Sequence, residues 1–210
     1  MLNMSDFENA RNYILARLEN ELSPGLTYHN LQHTLDEVVP AADLLATLEK
    51  VPDEDRLLLL TAAYFHDVGF IHQRDGHEQV GIQLAEQNLP RFGYSPAQIA
   101  VIHGIIQATH LPQSPRTHLE RIIADADMDD LGNENFWQRS NDLRQELNNY
   151  GTQYTDEEWY ASQLRLMESH HYFTDSERLL RDALKQQHIL ELKRLLETGS
   201  SYQVNVHKSG

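Results

Sequence analysis

Leu57-Leu58-Leu59-Leu60-Thr61-Ala62-Ala63-Tyr64-Phe65-His66-Asp67-Val68-Gly69 is the stretch on which the reading of this chain turns. Residues 57–65 carry no charge and read as a buried helix; an imidazole and a carboxylate follow at once. A buried, unpaired carboxylate is far costlier than a neutral polar group. The pair therefore requires either a dense hydrogen-bond network or a bound cation. Successive helical residues lie about 100° apart, so positions 66 and 67 reach one cavity only near a helix end. Gly69 suits that end as a C-terminal stop, and Asp53 suits the start as an N-cap.

Outward from this stretch, helix signals dominate. Ser5 can cap a first helix with apolar positions Phe7, Ala10, Ile14, Leu15 and Leu18, ended by Ser23-Pro24-Gly25. A second helix is predicted over 30–49, bent or split at Pro40. A loop over 71–76 leads to a helix over about 77–89. Ser95-Pro96-Ala97-Gln98 is a capping box with Pro at the first helical position, opening a helix to about 109. Thr117 with Glu120 is another, before the helix carrying Ile122, Ile123 and Asp127. Three more helices are expected over 133–148, 155–169 and 174–197, with Thr155/Glu158 and Thr174/Glu177 at their starts. No sustained period-2 alternation occurs, so the fold class is all-α. The domain expectation is one unit over 1–198, with a motif-bearing core at about 26–132, C-terminal helices at about 133–198 and a loose polar tail at 199–210.

The formal net charge of −15 argues against long nucleic acid as a partner, because backbone binding draws on Lys and Arg patches. It leaves room for a small phosphorylated ligand, since a bound cation can reverse the field inside one pocket. The absence of cysteine removes disulfides, thiolate metal sites and Cys nucleophiles together. No secretory signal is visible at the N-terminus, and the longest apolar run falls short of the roughly 20 residues that span a bilayer. The expectation is a cytoplasmic protein with no membrane partner. The helices beyond 133 could supply a homodimer face.

Twelve histidines decide nothing by number; position does. His33 and His77 start helices, His110 ends one, and Asp127 lies in Asp125-Ala126-Asp127-Met128-Asp129-Asp130. With His66 and Asp67 they make four imidazoles and two carboxylates, enough for two ions if Asp67 bridges. Such a mixed N/O set favours Mn, Fe, Zn, Co or Ni over Ca, with Mg also compatible. Two ions can hold a phosphate ester, acidify water and stabilise the leaving oxygen. Asp125 competes with Asp127, but two residues apart on a helix they point about 200° apart. His103 competes with His110, yet about 10.5 Å of rise separates them, too far for one metal. Asp129 and Asp130 read as a solvated acidic turn, His170 and His171 as a helix end, and His188 and His207 as surface residues. Asn30 reads as a capping residue beside Tyr28 and His29.

Taken in order, Tyr28-His29-Asn30-Leu31-Gln32-His33, Phe65-His66-Asp67-Val68-Gly69, His77-Glu78-Gln79-Val80-Gly81, Ala108-Thr109-His110 and Ala124-Asp125-Ala126-Asp127 resemble the HD-domain metal-dependent phosphohydrolase superfamily. The H…HD…H…H…D order is similar to its two-metal branch, and the match covers about residues 26–132. The resemblance implies a helical bundle, divalent metal binding and hydrolysis of a phosphoester or phosphoanhydride of a small metabolite, such as a nucleotide. It implies His33, His66, Asp67 and Asp127 as core ligands, and His77 and His110 as holders of a second ion. His66 and Asp67 are the catalytic candidates, with Asp67 or Asp127 orienting or deprotonating water. Many members carry Lys where this chain has Phe70; His72, Arg74 and Arg116 are the substrate-binding candidates in its place. Two other functions share the ligand set: a two-iron oxygenase, and a non-catalytic nucleotide- or metal-binding regulatory module.

Overall fold

The computed structural model describes residues 4–202, and among them every regular element is helical. Helix α1 (Met4–Glu21) precedes a loop that carries Tyr28 and His29. A π-helical turn, His33–Val38, then runs directly into α2 (Val39–Leu48). Helices α3 (Asp53–Phe65), α4 (His77–Asn88), α5 (Pro96–Gln107) and α6 (His118–Asp127) complete the first half. Helices α7 (Phe136–Asn149), α8 (Asp156–Ser169) and α9 (Asp175–Thr198) form the second. Three capping boxes, at Ser95, Thr117 and Thr155, stand where the sequence places them.

Two apolar cores result. One joins α1 to α6 through residues such as Ile14, Leu45, Leu59, Phe65, Ile102 and Ile122. The other joins α7, α8 and α9 through Phe136, Trp159, Met167, Ile189 and Leu192, together with Met128 and Leu131. Burying a Leu, Ile or Phe side chain is worth about 1.5–3 kcal/mol, so each core can hold its own half together.

Local expectations are revised at several points. Pro40 does not split its helix, which continues from the π-turn into α2. The Val39 N–H bonds back to the Thr34 carbonyl, five residues earlier, so the ordinary ladder is already interrupted where Pro40 lacks a donor. Ser5 lies inside α1 instead of capping it, and Asp53 is the first residue of α3, behind Pro52 at the cap. Gly69 does not stop α3, which ends at Phe65; it sits in a 3-10 turn, Val68–Ile71. Its requirement is close approach, since a Cβ there would meet the His77 carbonyl oxygen at 1.9 Å. The start of α4 is thereby pressed against the residues just past His66-Asp67. The tail begins packed: Tyr202 stacks on Trp137 with ring centroids 4.0 Å apart, and its N–H donates to the Tyr160 hydroxyl. His207 lies outside the described residues. No helix among those described is long and apolar enough to cross a membrane.

Candidate metal centre

Because α3 ends at Phe65, His66 is its C-cap and Asp67 leaves the helical path with φ −99° and ψ 1°. That departure lets two adjacent side chains face one point. His66 is fully buried, and Asp67 and His33 are 5% and 2% exposed. His33 arrives from the π-turn, whose first residue has its N–H held by the Asn30 side chain at 3.0 Å. Asp127 arrives from the last residue of α6. Donor atoms of His33, His66 and Asp127 all fall within 4.8 Å of one another. His66 Nε2 lies 3.2 Å from Asp67 Oδ2 and 3.4 Å from Asp127 Oδ1. His33 Nε2 is 3.5 Å from Asp127 Oδ1 and 3.8 Å from Asp67 Oδ2. The other Asp67 oxygen, Oδ1, faces His77 Nε2 at 3.4 Å. One carboxylate thus looks two ways.

Each imidazole is aimed by its other nitrogen. Nδ1 of His66 donates to the Ala63 carbonyl at 2.7 Å, Nδ1 of His77 to the Arg74 carbonyl at 2.9 Å, and Nδ1 of His33 to Glu37 at 2.8 Å. Ring orientation set from behind in this way is the usual support of a ligating histidine. The atoms in front, His33 Nε2, His66 Nε2 and Asp67 Oδ2, are buried without a hydrogen bond. Buried polar atoms almost always have partners, and three such atoms converging from two segments fit a divalent transition ion by donor chemistry as well as by placement.

The electrostatics agree. Burial alone would push Asp67 up and His66 down; instead His66, by charge and hydrogen bond, holds Asp67 well below the usual carboxylate range. His66 is raised well above its ordinary value by Asp67 and Asp127, against its burial. Against its own burial, Asp127 and Glu37 lift His33 to about 9. The carboxylates demand positive charge at this point, whether from protons or from a cation.

A cavity of about 380 Å³ opens on this cluster, lined by Asp67, His77 and Asp127 and also by His110 and Arg74. His110 is exposed at its rim. Arg74 lies with its guanidinium 4.5 Å from the Tyr150 ring centroid. His72 is exposed and does not line the cavity, and Arg116 lines a separate one with His103 and Glu120. Phe70 is buried between two rings, 4.3 Å from His29 and 3.9 Å from His77, and wedges the two imidazoles apart.

Asp125 faces away from the cluster and accepts the N–H groups of Phe173 and Thr174, at 2.7 and 2.8 Å. Asp129 and Asp130 are not solvated: Asp129 takes Asn133 and Arg181, and Asp130 takes the Tyr28 hydroxyl at 3.1 Å while lining the cavity. Burial beside Glu37 raises Asp130 to about 6. His188 is buried, donating to the Leu131 carbonyl, and His170 is half-buried against Lys185. Glu37, Arg139 and Glu146 carry no motif. Glu37 joins His33 to Arg139, 2.8 Å from each. Fully buried Glu146 accepts both Tyr28 and His29 N–H at 2.9 Å and pairs with the His29 ring. Glu37 is legible only as the i+4 neighbour of His33, whereas Arg139 and Glu146 lie 111 and 118 residues from Tyr28, on α7, and carry no local signal.

Residues 31–131 match the family described as HD domain. No curated protein sequence matches the chain. Its fold is similar to that of Bacillus subtilis YpgQ in complex with ADP, at a TM-score of 0.67 and 20% identity over 95% of this chain and 97% of that one. It is also similar to a predicted HD superfamily hydrolase from an uncultured Thermotogales bacterium, with TM-score 0.61, 18% identity and 92% of each chain covered. A Lactobacillus plantarum protein aligns with TM-score 0.62 and 17% identity over 95% of this chain and 97% of that one.

Proposed function

From the premise that residues 31–131 of this chain are an HD domain, we propose that the protein is a metal-dependent phosphohydrolase. Its substrate is a small phosphorylated metabolite of nucleotide type. The observation that carries this reading is the convergence of three buried, unpartnered donor atoms, His33 Nε2, His66 Nε2 and Asp67 Oδ2, beside Asp127 at the end of an open cavity. The ADP bound by YpgQ supports the nucleotide type.

His33, His66, Asp67 and Asp127 would hold a first divalent ion. Asp67 Oδ1 and His77, with His110 at the rim, face the place for a second. Such ions supply Lewis-acid polarisation of a phosphoryl oxygen and a water of lowered pKa. Asp127, or Asp67 where it is not bridging, would orient or deprotonate the attacking water. Arg74, over the Tyr150 ring at the cavity edge, would offer a cation to the substrate's phosphates. The buried walls around His66 keep bulk water from competing for these groups, which strengthens each electrostatic contact.

The test is release of phosphate or pyrophosphate across nucleotides and other phosphorylated metabolites, assayed with Mn, Fe, Co, Ni, Zn and Mg in turn. His66→Ala and Asp67→Ala should lose both bound metal and turnover. Full turnover by metal-free His66→Ala protein would sink the reading.

A further inference from the structure

The cavity that begins at Asp67 and Asp127 ends in chemistry of a different kind. Part of its lining is one face of α7, with Phe136, Ser140 and Leu143 at helical spacing, together with Gln163 and Leu166 on α8. Met128 and Leu131 close it from the turn after α6. In this apolar setting stand two polar side chains. Ser140, 6% exposed, accepts the Trp159 indole N–H at 3.0 Å, which leaves its own O–H free to donate. Gln163, 5% exposed, lines the cavity, and its amide makes no hydrogen bond among the described residues.

The amide is not sealed from solvent; it faces the cavity with its donor and acceptor free of protein partners, open to a ligand. Packing does not require it, because a leucine or methionine would fill the same space without a polar atom. An amide presents a donor and an acceptor side by side and so matches a ring edge that carries the complementary pair. Apolar walls with a few convergent polar groups are what a flat heterocycle fits.

We infer that Gln163, with Ser140 beside it, recognises the base of the substrate: an aromatic heterocycle whose edge offers adjacent hydrogen-bond donor and acceptor groups, seated between α7 and α8 while its phosphates face Asp67 and Arg74. Gln163 is a specificity residue and not one of the metal donors. The inference rests on the phosphohydrolase reading for the phosphate end alone; the socket itself can be probed without turnover.

Free nucleosides are the probe. Adenosine, guanosine, cytidine and uridine are titrated against the wild-type protein, with purine riboside and ribose as ligands lacking the paired edge. Binding is followed by tryptophan emission, because Trp159 touches Ser140 directly. The expected result is that at least one edge-bearing nucleoside binds about 10- to 100-fold more tightly than purine riboside, the range a bidentate amide contact provides. In Gln163→Met that ratio should collapse toward about one. A wild-type ratio near one, or a ratio that survives Gln163→Met, overturns the inference. Should the variant fail to fold, the wild-type comparison of the four nucleosides with purine riboside decides alone. Nucleoside discrimination without any phosphate release would instead defeat the proposed reaction and leave the socket standing.

Discussion

Asp127 and Asp125 stand two residues apart on one helix and belong to two different halves of the molecule. Asp127 turns toward the α1–α6 half, where buried imidazoles and carboxylates meet head to head and leave their donor atoms open. Asp125 turns toward the α7–α9 half, where several buried polar groups are tied to backbone: Asp125 to Phe173 and Thr174, Lys185 to the His170 carbonyl, His188 to the Leu131 carbonyl. Unfilled hydrogen-bonding capacity at one focus marks a site, and filled capacity marks scaffold. Glu177 sharpens the contrast. It is as buried as Asp67 and has no hydrogen bond on either carboxylate oxygen, and the Arg181 guanidinium, 3.8 Å away, is taken up by Asp129 at 2.6 Å. Burial and the neighbouring Asp129 push its carboxyl well above the usual range, so that a proton does there what a cation would do at Asp67.

The comparison can be broken at its strongest point first. Asp127→Asn should lower turnover by about 10³-fold, since transition-state stabilisation by bound metal is worth several kcal/mol, while thermal unfolding barely moves. Metal-dependent turnover by that variant at the wild-type rate would erase the distinction between the halves. A smaller effect is expected at Glu37, which aims His33 from behind: Glu37→Gln should weaken metal affinity about 10- to 100-fold, read by competition with a chelating dye.

On the scaffold side, Asp125→Ala strands two backbone N–H groups and should lower unfolding free energy by about 2–4 kcal/mol in a denaturant titration. Turnover per folded molecule should hold, and a loss of bound metal without a loss of stability would reverse the two roles. The smallest effect concerns pH. Folded Glu177 binds its proton more tightly than the unfolded chain does, so stability falls as pH rises through the unfolded value of about 4.3. Glu177→Gln should therefore raise stability by about 1 kcal/mol or more at pH 7, with the gain vanishing below about pH 4. A gain independent of pH would show that the carboxyl is not the origin.

The halves were unequally legible in sequence. The capping boxes at Ser95, Thr117 and Thr155 are local, with donor, acceptor and spacing inside four residues, and they reappear in the fold. The helical class followed from apolar spacing alone. His66 and Asp67 could be singled out because an ionisable pair at the end of an apolar run needs an explanation wherever the chain goes next, and His33 and Asp127 by their places in the ordered H…HD…H…H…D resemblance. What escaped depends on packing between distant segments. Asp129 and Asp130 read as a solvated turn because Arg181 and Tyr28, their partners, lie 52 and 102 residues away. His188 reads as surface for the same reason, with Leu131 57 residues distant. Gly69 carries a helix-stop signal, but its role is set by the His77 backbone crossing over it. Gln163, on a polar-looking helix, gives no hint that α7 faces it.

Metal content decides the central claim. Wild-type, Asp127→Asn and Asp125→Asn proteins are each equilibrated with Mn, Fe or Ni, passed through gel filtration and analysed for bound metal per chain. The account expects wild-type and Asp125→Asn to retain stoichiometric metal and Asp127→Asn to lose most of it. Equal retention by the two variants, or none by the wild type with any of these ions, would contradict it.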